Sequence, residues 1–169
     1  MNKKEFLIWI AGFVDGEGSI GISRVSKPDG RVSYNRVFFC ITNNDKKTLE
    51  EIKKFFGDIG TIKQKIKKKD PLIESNKNRF GKRDCYDFAL GKRQAKEVLK
   101  MLYPYLKVKK KQARLVLDLP AQRWIANRET GKHHGGRIAD KKIEKIQEKM
   151  YWQSRKLNSG SSRYKKTLV

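Results

Sequence analysis

Residues 6–19 read FLIWIAGFVDGEGS, and no other stretch limits the chain so tightly. The nine residues from Phe6 to Val14 carry no charge; Asp15, Gly16, Glu17 and Gly18 follow at once. As a helix, this run is apolar around its whole circumference, and such a helix has to be covered on every side. It is far too short to span a bilayer, which takes about 20 residues. The spacing therefore predicts a helix with the chain's own core on one side and a second surface on the other. Gly12 and Gly16 are four apart and share a side of the helix. Without side chains there, another backbone could come very close, as small residues allow between membrane helices. Glu17 stands at the end of that contact, just before a strand. An acid at a helix C-terminus faces the unfavourable end of the helix dipole. That local cost points to a functional carboxylate.

Charge narrows the partner. The chain of 169 residues has 41 Lys and Arg against 18 Asp and Glu, a net +23. In a compact fold that charge repels itself unless an anion takes it up. Nucleic acid is the first candidate and an anionic membrane surface the second. Hydrophobic residues make up 37%, enough for a modest core rather than a disordered basic tail. Two cysteines, Cys40 and Cys85, are too few for a disulfide framework and fit a reducing compartment. The expected location is intracellular: an archaeal or bacterial cytoplasm, or an organelle. The organising motif begins almost at residue 1, so no signal peptide is expected.

The periodicity then lays out the elements. Ser19 to Val25 alternates, with Ile20 and Ile22 on one face and Ser19, Gly21 and Ser23 on the other. Pro28-Asp29-Gly30 is turn chemistry, flanked by Lys27 and Arg31. Ser33 to Thr42 returns, with Val37, Phe39 and Ile41 inward and Tyr34, Arg36, Phe38 and Cys40 outward. Asn43, Asn44 and Asp45 are capping residues, and Leu49, Ile52, Phe55 and Phe56 follow at helical spacing. A third strand over 61–67 carries Lys63, Lys65 and Lys67 on one face; a polar loop covers 68–82. A fourth over 83–90 points Arg83, Cys85 and Asp87 outward. Helices are predicted around 95–102, 106–119 and 138–156, with residues 121–137 ambiguous. Together these make one domain over 1–156, with a core at 4–119, a helical extension at 120–156 and a disordered basic tail at 157–169.

Four antiparallel strands with helices on one face leave the other face free. That face is polar, basic and extended along strands, which suits the major groove of duplex DNA. A solvated sheet face is the ordinary meaning of such alternation. Three Lys in register on a chain this basic shift the balance toward DNA.

The stretch Ile10-Ala11-Gly12-Phe13-Val14-Asp15-Gly16-Glu17-Gly18 resembles, without gaps, the signature of the LAGLIDADG homing endonucleases. The flanks Lys4-Glu5-Phe6-Leu7 and Ser19-Ile20 resemble the single-motif, homodimeric branch. The resemblance implies an α+β fold of order αββαββα, with a four-stranded antiparallel saddle sheet laid along the major groove. One motif implies two chains, meeting through Ile10, Gly12, Phe13 and Gly16. It further implies a site-specific DNA endonuclease that cuts both strands across the central minor groove, leaves short 3′ overhangs and promotes intron mobility.

In that family the motif's last acid, here Glu17, binds divalent metal. The chemistry needs it: a phosphodiester is negative and resists attack until a cation neutralises it. Mg²⁺ is the expected cofactor, with Mn²⁺ as a substitute, and the Gly16 carbonyl is a second candidate ligand. Asp15 is expected to make structural hydrogen bonds instead. By alignment Asn43 matches a polar residue that orients water, where many relatives carry Gln. Lys109 matches a basic residue near the scissile phosphate, and Lys47 a basic residue of the same solvent network.

The alternatives are a non-cleaving binder, such as an RNA maturase whose partner is intron RNA, and a membrane-surface protein. The retained acid at position 17 favours cleavage over the first. The lack of a basic amphipathic helix with large exposed apolar residues, outside 138–156, argues against a membrane. Cys40, Cys85, His133 and His134 lack the spacing of a zinc site.

Overall fold

The computed structural model describes residues 1–26, 32–64, 85–122, 124–126 and 137–159. Helix α1 (Lys3–Glu17) starts with a capping box. The Asn2 side chain accepts the Glu5 N–H at 2.9 Å, and the Glu5 carboxylate accepts the Asn2 N–H at 2.9 Å. Its inner side buries Ile10, Ala11 and Val14 completely. Along its flank Trp9 stacks between Phe6 and Phe13, with ring centroids 5.2 and 5.4 Å apart. The outer side leaves Ile8 48% and Trp9 38% exposed. Gly18 ends the helix and opens the strand in one step. A Cβ there would lie 2.5 Å from the Val14 carbonyl oxygen, so the abrupt exit requires glycine.

Strand β1 (Gly18–Ser26) pairs antiparallel with β2 (Val32–Asn43). Helix α2 (Lys46–Phe55) follows, capped by Asp45, which accepts the Lys47 N–H at 3.0 Å and the Thr48 hydroxyl at 2.7 Å. Strands β3 (Thr61–Gln64) and β4 (Tyr86–Leu90) complete a four-stranded antiparallel sheet of order β1-β2-β4-β3. Helices α3 (Lys92–Leu102) and α4 (Lys110–Asp118) come next. Strands β5 (Trp124–Ala126) and β6 (Arg137–Ala139) form a separate pair, and α5 (Lys141–Asn158) closes the described chain.

One cluster joins these elements. Ile20, Ile22, Val37, Phe39, Ile41, Phe88 and Leu90 form the buried sheet face, and residues of α1 to α4 cover it. The strand parity expected from sequence is the one that buries these side chains.

Three local expectations change. The helix predicted over 106–119 begins only at Lys110, because Lys107, Val108 and Lys109 turn their N–H groups to Asp15. The ambiguous 121–137 contains β5 and reaches the start of β6; three-residue strands are too short to show a period. The last helix runs 141–158 rather than 138–156. The loop at 68–82, His133, His134 and residues 160–169 lie outside the described residues.

Helix α5 does more than extend the chain. It packs along β1, the edge strand, and meets its outward backbone groups with side chains. The Ser154 hydroxyl, fully buried, accepts the Ile22 N–H at 3.1 Å. The Asn158 amide donates to the Ile20 carbonyl at 3.0 Å. An open sheet edge is a template for pairing with another chain, and α5 closes this one.

Candidate active site and nucleic-acid interface

The end of α1 gathers the candidate catalytic residues. Glu17 is its last residue and is exposed. Gly18 pairs with Ile41 across the sheet, so Asn43, two residues further along β2, lies at this same end. The Asn43 side chain accepts the Asp45 N–H at 2.8 Å, which fixes its orientation just before α2. Lys47, exposed in the first turn of α2, follows it. The helix cap is Asp45, and Asn43 is free of that duty.

Asp15 ties the fourth candidate, Lys109, to this place. Its carboxylate accepts N–H groups from Lys107 at 2.7 Å, Val108 at 3.1 Å and Lys109 at 2.8 Å. The Lys109 ammonium donates to the Asp15 carbonyl. Burial pushes the Asp15 carboxyl up, but these N–H donors and the Lys109 charge outweigh it and hold its pKa below the ordinary value. Asp15 is thus the joint between α1 and the turn before α4. A cation at the end of α1 also offsets the helix dipole that Glu17 faces.

Among the described residues no group of three or more His, Cys, Asp and Glu could hold a metal by itself. The donor set at this end is the Glu17 carboxylate and the Gly16 carbonyl, both on the exposed side of α1. Such an open, oxygen-only set fits Mg²⁺, which is commonly held by one or two carboxylates with water and substrate phosphates completing the shell.

Gly12 and Gly16 face open space: a Cβ on either would meet nothing within 4 Å. Nothing inside the subunit demands glycine there. With Ile8, Trp9 and half-buried Phe13 they form an apolar face with no cover from the described residues. Ile10, expected on this face, is 0% exposed in the subunit's own core and is removed from it. Ile8 and Trp9 take its place. The spacing of Ile8, Gly12 and Gly16 at i, i+4 and i+8 is the signal that identifies the face.

The free side of the sheet presents exposed Ser19, Arg36 and Lys63 and half-buried Ser23, Cys40 and Asp87. Asp87 accepts the Thr42 hydroxyl at 2.6 Å. Cys85 is half-buried just ahead of β4 rather than in it. Lys27, Arg31, Lys65, Lys67 and Arg83 lie outside the described residues.

Three expected contact positions also pack within the fold. Gly21 is fully buried: a Cβ would lie 2.5 Å from the Phe38 ring and 2.8 Å from the Ser154 hydroxyl. Phe38 folds over Gly21 and is half-buried. Tyr34 is turned by a bulge. Ser23 pairs with Arg36 but Val25 with Ser33, so β2 carries one extra residue and its alternation breaks. The Tyr34 hydroxyl donates to Glu148 of α5 at 3.3 Å, and its ring lies 5.1 Å from that of Tyr151. Simple parity missed this because neither the bulge nor α5 has a signature in the strand residues.

The profile described as LAGLIDADG endonuclease matches residues 10–83. A DNA endonuclease of Chlorella vulgaris, I-CvuI, is 32% identical over 114 residues, which cover 66% of this chain and 61% of that protein. By both measures the chain is similar to LAGLIDADG endonucleases. Solved structures share its fold. I-CvuI in complex with the I-CreI target matches with a TM-score of 0.65 at 23% identity, over 95% of this chain and 87% of that one. The archaeal intron-encoded homing endonuclease I-Vdi141I, complexed with DNA, gives 0.65 at 20% identity over 96% and 91%. At these identities the likeness is one of fold, and it confirms the α+β sheet with helices on one face. In LAGLIDADG terms the signature is the second half of α1 with its exit glycine, Ile10 to Gly18. No described helix is long and apolar enough to cross a membrane.

Proposed function

We propose that this chain is a homodimeric, divalent-metal-dependent LAGLIDADG endonuclease that cuts both strands of a long pseudo-palindromic DNA site. The observation that carries the reading is the α1 face. Two glycines open to space stand beside exposed Ile8 and Trp9, and the face ends on an exposed carboxylate, Glu17. A second copy packing there through a two-fold axis brings its own Glu17 beside the first. One carboxylate then serves each strand.

The free sheet face binds the duplex, with Arg36 and Lys63 on phosphates or guanine edges and Asp87 on cytosine or as an orienter of cations. Glu17 and the Gly16 carbonyl would hold a divalent ion, Mg²⁺ with Mn²⁺ as a substitute, which would supply charge against the scissile phosphate and a lowered pKa for water. Lys109, fixed through Asp15, supplies positive charge near the phosphate, while Asn43 and Lys47 order the surrounding water. The cut leaves short 3′ overhangs across the central minor groove and promotes spread of the intron that encodes the chain. That relatives of this fold are named as endonucleases in complex with DNA supports the choice of substrate.

The test is a duplex built from the sequences that flank the reading frame, joined as they stand without it. Purified protein with Mg²⁺ should give one double-strand cut near the junction. Tight binding with no cut under Mg²⁺ or Mn²⁺ would contradict the assignment and favour a binder.

A further inference from the structure

A groove of about 730 Å³ lies between α4 and α5 and belongs to neither the sheet nor the α1 face. Five cations line it: Lys107, Lys110, Lys111, Arg114 and Lys156. No acid is among its lining residues. Arg114 shares its charge with Asp118, 2.6 Å away and outside the lining. Lys110, Lys111 and Arg114 occupy about one turn of α4, roughly 6 Å of its axis. The floor is apolar: Tyr103, Leu115 and Leu157, with Leu157 37% exposed and the Lys110 ammonium 5.2 Å from the Tyr103 ring centre.

We propose that this groove is a second nucleic-acid site, which takes a single strand. Charge complementarity selects a polyanion, since concentrated cations without acids gain most by releasing the counterions of a phosphate chain. The apolar and aromatic floor then selects bases over a plain polyanion, because unpaired bases have faces to lay against Tyr103 and the leucines. A duplex keeps its bases stacked inside and offers such a floor nothing. The groove is lined by α4, α5 and the turn before α4, and none of its lining lies on the sheet. A single strand held there and a duplex along the sheet would touch different residues. This goes beyond the endonuclease reading and does not depend on cleavage.

Full-length protein is titrated with labelled single strands of about 12 nucleotides, as RNA and as DNA, with and without saturating duplex. The pair Lys111→Glu and Lys156→Glu should weaken single-strand binding roughly tenfold or more while duplex affinity stays within about twofold. The pair Arg36→Glu and Lys63→Glu, on the sheet, should do the reverse. Tighter binding of RNA would name it as the natural source through its 2′-hydroxyl, and tighter binding of DNA would name a displaced strand. The proposal is overturned if duplex displaces the single strand, or if both charge reversals weaken single-strand binding equally. The second result would mean only the general attraction of a +23 chain.

Discussion

Lys109 is held by Asp15 at two points: its N–H on the carboxylate at 2.8 Å, and its ammonium on the carbonyl of the same residue. The pair fastens the start of α4 to the end of α1, two residues from Glu17. The carboxylate expected from the sequence to make structural hydrogen bonds is the hinge pin of the site.

Asp15→Asn should therefore cost about 1–2 kcal/mol of stability at neutral pH, since it removes a charged cap for three N–H groups. The sign with pH follows from the lowered pKa. The ionised group stabilises the fold above the ordinary carboxylate value of about 3.9, and that contribution fades as pH falls through the lowered value. Thermal melts from neutral to strongly acid pH should show wild type and variant converging at the acid end. A constant gap across the range would mean that the charge is irrelevant.

Gly12→Ala and Gly16→Ala separate the subunit from the dimer. With nothing within 4 Å of either Cβ, each should leave the subunit intact and stiffen α1 by up to about 1 kcal/mol. Each should also hold two helices apart. Sedimentation should report a folded protein shifted toward monomer, with DNA cleavage lost in step. A variant that dimerises as tightly as wild type would place the interface elsewhere.

Gly21→Ala places a methyl against the Phe38 ring and Ser154, where the space is under 3 Å. Overpacking of this kind costs about 1–3 kcal/mol. Adding Phe38→Leu should recover much of it, because the ring is the nearer obstacle. Chemical denaturation of the two single variants and the double gives the coupling; strictly additive losses would deny that Gly21 is glycine to admit Phe38.

Ser154→Ala removes the buried acceptor of the Ile22 N–H and leaves that donor unpaired at the sheet edge. The loss should be about 1–3 kcal/mol, with faster hydrogen exchange at Ile22. Exchange at wild-type rate would mean that water reaches the edge already.

The sheet was legible because its core residues alternate cleanly: Val37, Phe39 and Ile41 in β2, Phe88 and Leu90 in β4. Helix α1 was legible from its apolar run, but its division into inner and outer sides was not. An all-apolar circumference does not reveal which residues meet the sheet, so Ile10 was expected on the outer side, where Ile8 stands. The covering of Gly21, Tyr34 and Phe38 was hidden for another reason. It depends on α5, more than 100 residues away in sequence, and Ser154 and Glu148 look like ordinary helix-surface residues until β1 is beside them. Lys107 to Lys109 read as helix because a run of Lys is helix-compatible; only Asp15 pulls their N–H groups aside.

The central claim is that each subunit's Glu17 serves one strand. It is tested most directly by mixed dimers, formed from one wild-type copy and one Glu17→Gln copy carrying different tags and supplied with target duplex and Mg²⁺. The account predicts a nicked duplex from the mixed dimer, a double-strand cut from wild type, and binding without cutting from the doubly substituted dimer. A double-strand cut from the mixed dimer at the wild-type rate, or any cutting at that rate by the double variant, would contradict it.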